Sequence, residues 1–212
     1  MEDISTVYKA TELDERNADA NPIRQFQRWF EEALACGMPM ADAMTLCTAT
    51  ADGKPSARMV LLKGIDESGF VFYTNYRSRK AIELEANPFA ALVLYWEPLE
   101  RQVRVEGRVS RISSTESDDY FQTRPRESQL GAIASPQSDV IESRDVLERR
   151  LRELEKEYQD ESRPVERPSH WGGYRLKPER IEFWKGRSGR LHDRLLYEVG
   201  ADGDWTITRL AP

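Results

Sequence analysis

The chain has 212 residues, of which 32% are charged and 39% hydrophobic, and its formal net charge is −6. This length suits one domain with a sizeable core, and the composition is that of a folded globular protein rather than a disordered or membrane-embedded one. The acidic balance argues against a broad electrostatic surface for duplex nucleic acid. Any anion site must therefore be local.

Several missing signals narrow the function classes further. The longest strongly apolar stretch, Phe89 to Trp96, is far shorter than the roughly 20 residues that cross a bilayer. No basic segment followed by an apolar one opens the chain, so no secretory signal is predicted. Cys36 and Cys47 are the only cysteines, too few for a disulfide framework or a zinc motif. The sequence predicts a cytoplasmic protein without a metal site or a membrane segment.

Residues 1–20 are polar and acidic without periodicity, and they predict a mobile arm ahead of a single domain over residues 21–212. Asn21 and Pro22 begin an amphipathic helix, which Gly37 ends. From residue 43 onward, short β runs alternate with turn residues, as in a meander of hairpins. The predicted strands are 43–50, 56–65, 70–75, 89–96, 101–112, 171–184, 190–199 and 205–210, and further helices are predicted over 78–85, 115–123 and 140–158.

Along the predicted strand 101–112, apolar residues such as Val103 and Val105 alternate with polar ones such as Arg104 and Glu106. A period of two is typical of a half-buried strand. Antiparallel strands with helices outside predict a mainly β fold with peripheral helices (α+β), built as a closed or partly open barrel.

A first cationic cluster, Ser78-Arg79-Lys80, begins the short predicted helix. Cations in a first turn oppose the helix dipole unless an anion is held there. A bound phosphate would take backbone N–H groups, the Ser78 hydroxyl and both cations. An ordinary serine cap beside two solvated bases is the alternative.

A second cluster, Arg58-Met-Val-Leu-Leu-Lys63, is an apolar run with a cation at each end. On one strand these cations lie roughly 17 Å apart and on opposite faces. They either border the two ends of an extended ligand or are strand-end charges.

A third cluster is Arg190-Leu-His192-Asp-Arg194. On a strand, alternation places Arg190, His192 and Arg194 on one face at intervals of roughly 6.6 Å. Such crowding of donors indicates a site for negative groups, with salt bridges to Asp193 or to a Glu-rich helix as the alternative. His170, the only other histidine, is expected to be structural.

A fourth set, Tyr120, Arg124 and Ser128, is spaced at four-residue intervals through a helix and its exit past Pro125. Tyr120 and Arg124 share a helix face, which suits phosphate recognition or a surface pair. No dinucleotide fingerprint, phosphate-binding loop, nucleophile elbow or metal-ligand cluster is found, so an organic cofactor is expected to carry the chemistry.

These clusters occur with other short motifs in one order along the chain, and from about Asn21 to Pro212 the sequence closely resembles the pyridoxine/pyridoxamine 5′-phosphate oxidase family. The resemblance implies a split β-barrel homodimer with FMN at its interface. It also implies hydride transfer from the substrate C4′ to flavin N5, hydrogen peroxide release as oxygen is reduced, and hydrolysis of the imine formed from the amine substrate. The other motifs are Phe72-Tyr-Thr-Asn75, Arg101-Gln-Val-Arg-Val-Glu-Gly107, Ser135-Pro-Gln-Ser138, Trp171-Gly-Gly173, Ile181-Glu-Phe-Trp184 and Arg209-Leu-Ala-Pro212.

The resemblance also implies site residues, with Arg190 and His192 as the catalytic pair that positions and polarises the substrate ring. The implied substrate contacts are Lys63, Tyr120, Arg124, Ser128, Arg190, Leu191, His192 and Tyr8. The implied FMN contacts are Arg58, Met59, Val60, Leu61, Leu62, Lys63, Tyr73, Thr74, Arg79, Lys80, Gln102, Gln137, Ser138, Trp184 and Arg194.

The sequence departs from this family in its N-terminal arm. Many members carry an Arg three residues before the arm's Tyr, whereas here Ser5 precedes Tyr8. We therefore expect weaker closure of the arm over the substrate. Two other functions compete with the oxidase: another split-barrel flavoprotein such as a flavin reductase, and a non-catalytic carrier of FMN or pyridoxal phosphate.

Overall fold

The computed structural model describes Thr6 and residues 11–212. Its helices are α1 Pro22–Ala35, α2 Arg79–Ala86, α3 Ser114–Thr123, α4 Arg126–Ala134 and α5 Arg144–Glu157. Its strands are β1 Ala43–Ala49, β2 Pro55–Leu61, β3 Gly64–Asp66, β4 Gly69–Asn75, β5 Phe89–Trp96, β6 Arg101–Arg111, β7 Trp171–Lys185, β8 Asp193–Val199 and β9 Trp205–Arg209.

All these strands pair antiparallel in one sheet, in which seven follow the order β2-β1-β5-β6-β7-β4-β3 and β8 and β9 branch from β7. The two strands at the ends of this order, β2 and β3, follow each other in the chain. Backbone bonds from Lys63 to Val71 and from Leu62 to Asp42 hold the short connection between them. The sheet therefore curls so that its two end strands are joined through this connection, which confirms the predicted closed or partly open barrel.

The long strand β7 divides the barrel. One of its edges pairs with β6 along its length, while the other pairs first with β4 and then with β8, which continues to β9. The β6–β7 pairing shifts register at Glu106/Gly107, and a Cβ built on Gly107 would lie 2.1 Å from the Lys177 carbonyl oxygen. This bulge bends the ladder between the two halves of a split barrel.

Helix α1 closes one end of the barrel with its apolar face. The Asn21 side chain caps the helix by accepting from the Ile23 amide at 2.8 Å, as the sequence predicts. The fully buried Phe26 meets Phe70 edge-on at a centroid distance of 4.9 Å. A smaller core under α3, α4 and α5 is built from Phe121, Leu130, Leu154, Val165 and Trp171.

Most predicted elements are confirmed to within two residues, but four differ. Helix α4 was not predicted, because Pro125 was interpreted as an exit from helix rather than a break between two helices. Helix α5 begins at Arg144, so the exposed Val140 lies outside it. The predicted strand 56–65 is split at Leu62, and the strand predicted from Arg190 begins at Asp193.

Part of the segment predicted as a mobile arm contacts the rest of the domain. Leu13 is 3% exposed within the main core, and Glu15 pairs with Arg209 at 2.6 Å. Residues 11–20 therefore pack on the domain, whereas Ser5 and Tyr8 lie outside the described residues. Within the described part of the chain, no helix is long and apolar enough to cross a membrane.

The packing of α1 generates a stability prediction. Phe26→Ala should lower the free energy of unfolding by about 3–5 kcal/mol, because it leaves a cavity in the main core. Glu31→Ala, at an exposed position of the same helix, should change it by less than about 0.5 kcal/mol. Denaturant titration of both variants at one protein concentration tests this, and equal effects would contradict the assigned packing.

Candidate active site

A cavity of about 490 Å³ lies between the barrel wall and helices α3 and α4. Residues from both the predicted FMN set and the predicted substrate set line it together. Strand β2 and its exit contribute Arg58, Met59, Val60, Leu61 and Lys63, and the remaining lining residues are Tyr73, Thr74, Lys80, Tyr120, Thr123, Arg124, Pro125, Ser128, Gln137 and Trp171.

Arg58 and Lys63 reach this cavity from two different backbone settings. Arg58 lies within β2, but the strand ends at Leu61, so Lys63 is not on the opposite face of the same strand as predicted. The chain turns at Leu62, whose own side chain is 5% exposed and belongs to the core rather than to the cavity lining. The turn lets both cations border one elongated space, and Lys63 pairs with Asp42 at 2.7 Å.

A buried carboxylate, Glu83 on α2, organises the cations beside the cavity. It accepts hydrogen bonds from Thr48 and Ser56, each at 2.5 Å, and from Arg79 at 2.8 Å, with Arg58 at 3.3 Å. Burial alone would raise the pKa of Glu83, but these hydrogen bonds outweigh it and lower the pKa to about 2. Glu83 therefore stays ionised and fixes the two guanidinium groups.

Lys80 is the cation of α2 that faces the cavity. Its ammonium group donates to Gln137 at 2.8 Å and to Thr74 at 3.1 Å, and among the described residues it pairs with no carboxylate. Burial, followed by the charge of Arg58, lowers the pKa of Lys80 to about 8. An anion in the cavity would relieve both effects.

The structure corrects the predicted role of Ser78. Its side chain is fully buried and donates to the Asn75 carbonyl at 2.7 Å, so it is not free to receive a phosphate. The Arg79 amide instead donates to the Ser138 hydroxyl at 3.2 Å. This bond joins the helix start to the 135–138 segment, whose Gln137 lines the cavity together with Lys80.

An aromatic stack forms the wall on the α3 side. Tyr73 stacks on Tyr120 at 3.9 Å and on Trp171 at 5.3 Å, and the Arg124 guanidinium lies 4.6 Å from the Trp171 ring centroid. Burial lowers the pKa of Arg124, and its Nη1 is buried without a hydrogen-bond partner in the described residues. Pro125 separates α3 from α4, which places Ser128 on the second helix beside the same cavity.

A second group of predicted residues lies outside this lining, on β6, β7, β8 and the turn between β7 and β8: Gln102, Trp184, Arg190, Leu191, His192 and Arg194. Gln102 pairs in register with Trp184, and Trp184 with Arg194. The His192 ring lies 4.6 Å from the Trp184 ring. Arg194 binds Glu182 through two hydrogen bonds of 2.8 and 3.1 Å, a partner that the sequence analysis did not anticipate.

The predicted common strand face of Arg190, His192 and Arg194 is wrong. Arg190 ends a short 3₁₀ turn, Ser188–Arg190, and has a φ of 60°, while Leu191 is 74% exposed. Only Arg194 lies on a strand. Gly189 and Arg190 both take the left-handed conformation, which rules out the alternation that the prediction assumed. The predicted structural role of His170 fits its contact of 3.3 Å with the Ala132 carbonyl.

Sequence reasoning missed Glu83 and Asp42 as partners of the cations, and Trp171 as a lining residue. Glu83 carried a local signal, because it lies four residues after Arg79 on the same helix. Asp42 gave no such signal, since it meets Lys63 only through the strand pairing of β1 and β2.

Comparison with known proteins decides the family. A family model described as "Pyridoxamine 5'-phosphate oxidase" matches residues 30–158, and one described as "Pyridoxine 5'-phosphate oxidase C-terminal dimerisation region" matches residues 171–212. The chain belongs to the pyridoxamine 5′-phosphate oxidase family. Of the second group of predicted residues, all but Gln102 lie within the matched dimerisation region, and the protein is a homodimer.

Full-length relatives agree with this assignment. A protein of Rubrobacter xylanophilus named pyridoxine/pyridoxamine 5′-phosphate oxidase is 63% identical and covers 97% of this chain and 93% of its own. A protein of the same name from Trichormus variabilis is 57% identical, and the match covers 99% of this chain and 97% of that protein. Among solved structures, PhzG from Burkholderia lata in complex with tetrahydrophenazine-1-carboxylic acid has a TM-score of 0.89 and 32% identity, covering 96% of this chain and 98% of that chain.

The hydrogen bonds to Glu83 predict a pH-dependent stability. Because the folded protein lowers the pKa of Glu83 to about 2 from 4.5, the stabilisation is full above pH 4.5 and is lost as the pH falls toward 2. Near neutral pH, Glu83→Gln should lower the free energy of unfolding of the protein without FMN by on the order of 3 kcal/mol.

The measurement is urea unfolding of wild type and Glu83→Gln across this pH range. The difference in free energy of unfolding between the two proteins should become smaller as the pH is lowered. Ile82→Ala, a change at a 62% exposed position of the same helix, should follow the wild-type profile throughout. A difference between Glu83→Gln and wild type that does not change with pH would contradict the assignment.

Proposed function

We propose that this protein oxidises pyridoxamine 5′-phosphate and pyridoxine 5′-phosphate to pyridoxal 5′-phosphate with FMN and oxygen, releasing hydrogen peroxide. The observation that carries the proposal is the cavity in which cations from β2, α2 and α3 converge, two of them without a carboxylate partner in the described chain. Cations left unpaired in a partly buried space favour binding of anions, and both the cofactor and the substrate carry a phosphate.

The residues present fit FMN at the α2 side of the cavity. Lys80, with its lowered pKa and no carboxylate, would gain a counter-charge from the FMN phosphate. Arg58 and Arg79 are held beside it by Glu83, and Gln137 is held by Lys80 and Thr74. We assign the FMN phosphate to Arg58, Arg79, Lys80, Gln137 and Ser138.

The substrate phosphate is assigned to the α3 and α4 side. Arg124 offers a buried guanidinium nitrogen that has no partner in the described residues, and Tyr120 and Ser128 add hydroxyl groups from the two helices. Lys63 lies at the exit of β2, paired with Asp42. Two separated sets of cations explain how an acidic protein binds two phosphorylated molecules side by side.

The second group of residues suits a contribution from the partner subunit. Gln102, Trp184 and Arg194, together with the turn Arg190–His192, lie outside the cavity lining of their own chain and largely within the dimerisation region. We propose that they reach the cavity of the other subunit, which places FMN at the dimer interface and brings Arg190 and His192 to the substrate ring.

Held by Arg58, Arg79, Lys80, Gln137 and Ser138, FMN would supply a hydride acceptor for the substrate C4′ that oxygen can reoxidise. The chain's own contribution is binding and orientation. The phosphate contacts fix one end of the substrate, and Arg190 and His192 hold the ring and its C4′ substituent by donating hydrogen bonds to its acceptor atoms. In such a reaction, most of the rate enhancement comes from holding the substrate C4′ at reacting distance from the flavin. The imine formed from the amine substrate is then hydrolysed by water.

Two finer features belong to the same proposal. The protein works in the cytoplasm, in keeping with its two free cysteines. Tyr8 contacts the substrate from the arm, and with Ser5 in place of the family Arg the arm holds the substrate less tightly. Ser5→Arg would then lower the Michaelis constant.

The proposal is tested on the purified protein. Its visible spectrum should show bound flavin, and each phosphorylated B6 vitamer should drive oxygen uptake and pyridoxal phosphate formation. A flavin reductase would instead oxidise a reduced nicotinamide without producing pyridoxal phosphate. A carrier would bind FMN or pyridoxal phosphate and consume no oxygen. A colourless protein that takes up no FMN on titration would refute the oxidase and every other FMN-dependent function.

The assignment of Arg190 makes a sharper prediction. Arg190→Met should lower kcat by about a hundredfold, because the substrate ring loses a charged donor. FMN affinity, measured by quenching of flavin fluorescence, should stay within about twofold of wild type since no phosphate contact changes. Arg144→Met, at an exposed position of α5, is the matched control and should leave both values unchanged. Wild-type turnover in Arg190→Met would remove the assignment.

A further inference from the structure

The loop between β7 and β8, residues 186–192, carries both proposed catalytic side chains. Its backbone is unfavourable on its own, because Gly189 and Arg190 take left-handed conformations in succession, with φ of 65° and 60°. The left-handed region disfavours any residue with a Cβ, so Arg190 needs contacts elsewhere to hold it there. The loop is short of such contacts at its tip, where Arg190 and Leu191 are exposed.

At the base of the loop, the His192 ring is fixed by a backbone group. The Arg187 amide donates to His192 Nδ1 at 3.1 Å, and the Trp184 ring covers the imidazole at a tilt of 42°. A backbone N–H can only donate, so Nδ1 must be the unprotonated nitrogen in the neutral ring. The ring then carries its proton on Nε2, which becomes the donor that His192 presents.

The Arg187 side chain anchors this amide to the start of β8. Its Nε lies 3.0 Å from Asp193 Oδ2, a charge contact without the angles of a hydrogen bond, and its Nη1 pairs with Glu12 at 3.1 Å. Asp193 is held in turn, because its Oδ1 accepts from Arg209 at 2.8 Å and its side chain is only 13% exposed. Residues 187 and 193 flank the loop, so their ion pair closes it at the base.

We infer that Arg187 and Asp193 are positioning residues for the oxidation: their ion pair holds the Arg187 amide on His192 Nδ1 and thereby fixes His192 as an Nε2–H donor. The inference rests on the proposed function for the role of His192 in turnover, but the tautomer itself does not. Neither Arg187 nor Asp193 is assigned a contact with substrate or FMN. They act through the geometry of His192 and Arg190.

The tautomer can be observed directly in the protein without substrate. The chain has only two histidines, so ¹⁵N-histidine labelling gives two imidazoles, and His170→Gln identifies the signals of His192. We expect one protonated nitrogen, Nε2, and one unprotonated nitrogen, Nδ1. A proton on Nδ1, or averaging of both nitrogens between the tautomers, would overturn the inference.

Asp193→Asn tests the ion pair. We expect His192 to lose its single tautomer, kcat to fall by about ten- to a hundredfold, and the Michaelis constant and FMN affinity to change by less than about threefold. Asp202→Asn, in the β8–β9 turn where Asp202 accepts from the nearby Asp204 amide, is the matched control and should behave as wild type. A variant that lost thermal stability but kept the tautomer and kcat would show a structural role alone and overturn the inference.

Arg187 supplies a second, independent test. Arg187→Lys keeps a cation for Asp193 and should retain most of the turnover and the Nε2–H signal, whereas Arg187→Ala should lose both. If Asp193→Asn fails to fold, this pair decides, and equal behaviour of Lys and Ala at residue 187 counts against the inference. Failure of the wild type to oxidise either vitamer would instead refute the proposed function and leave the tautomer measurement standing.

Discussion

The site depends on gathering positive charge into a partly buried space within an acidic protein. Glu83 and Asp42 each neutralise one side of this cluster, while Lys80 and Arg124 are left without a carboxylate among the described residues. Complete pairing would have closed the cavity to anions, and no pairing would have destabilised the fold. The balance leaves positive charge at two places along one cavity, which is what an enzyme handling two phosphates requires.

The long strand β7 connects this charge to the rest of the catalytic apparatus. Its first half pairs with β4, from which Tyr73 and Thr74 enter the cavity, and its second half pairs with β8, which begins beside His192. The bulge at Gly107 turns the two halves relative to each other. Strand β7 therefore fixes the position of the cofactor cavity relative to the turn that carries Arg190 within each subunit.

Sequence patterns predicted the elements whose signals are local. The Asn21 cap and the alternation along β6 are confirmed because each depends only on neighbouring residues. The predicted strand face of Arg190, His192 and Arg194 was wrong because a left-handed turn at Gly189 and Arg190 interrupts the strand period. The role of Ser78 was missed because its hydroxyl binds the Asn75 carbonyl in the turn before the helix. The joining of Lys63 with Asp42 required the tertiary pairing of strands. Convergence of the cofactor and substrate sets was implied by family resemblance rather than by spacing.

The position of β7 near the end of the chain bears on how the protein matures during synthesis. Strands β4 and β6 are complete early, yet each has an edge whose partner is β7. Until Trp171–Lys185 has left the ribosome, both edges stay unpaired, and open edges are templates for pairing with other chains. The nascent chain thus carries these open edges while residues 112–185 are being made, and this is the interval in which the barrel is most exposed to pairing with other chains.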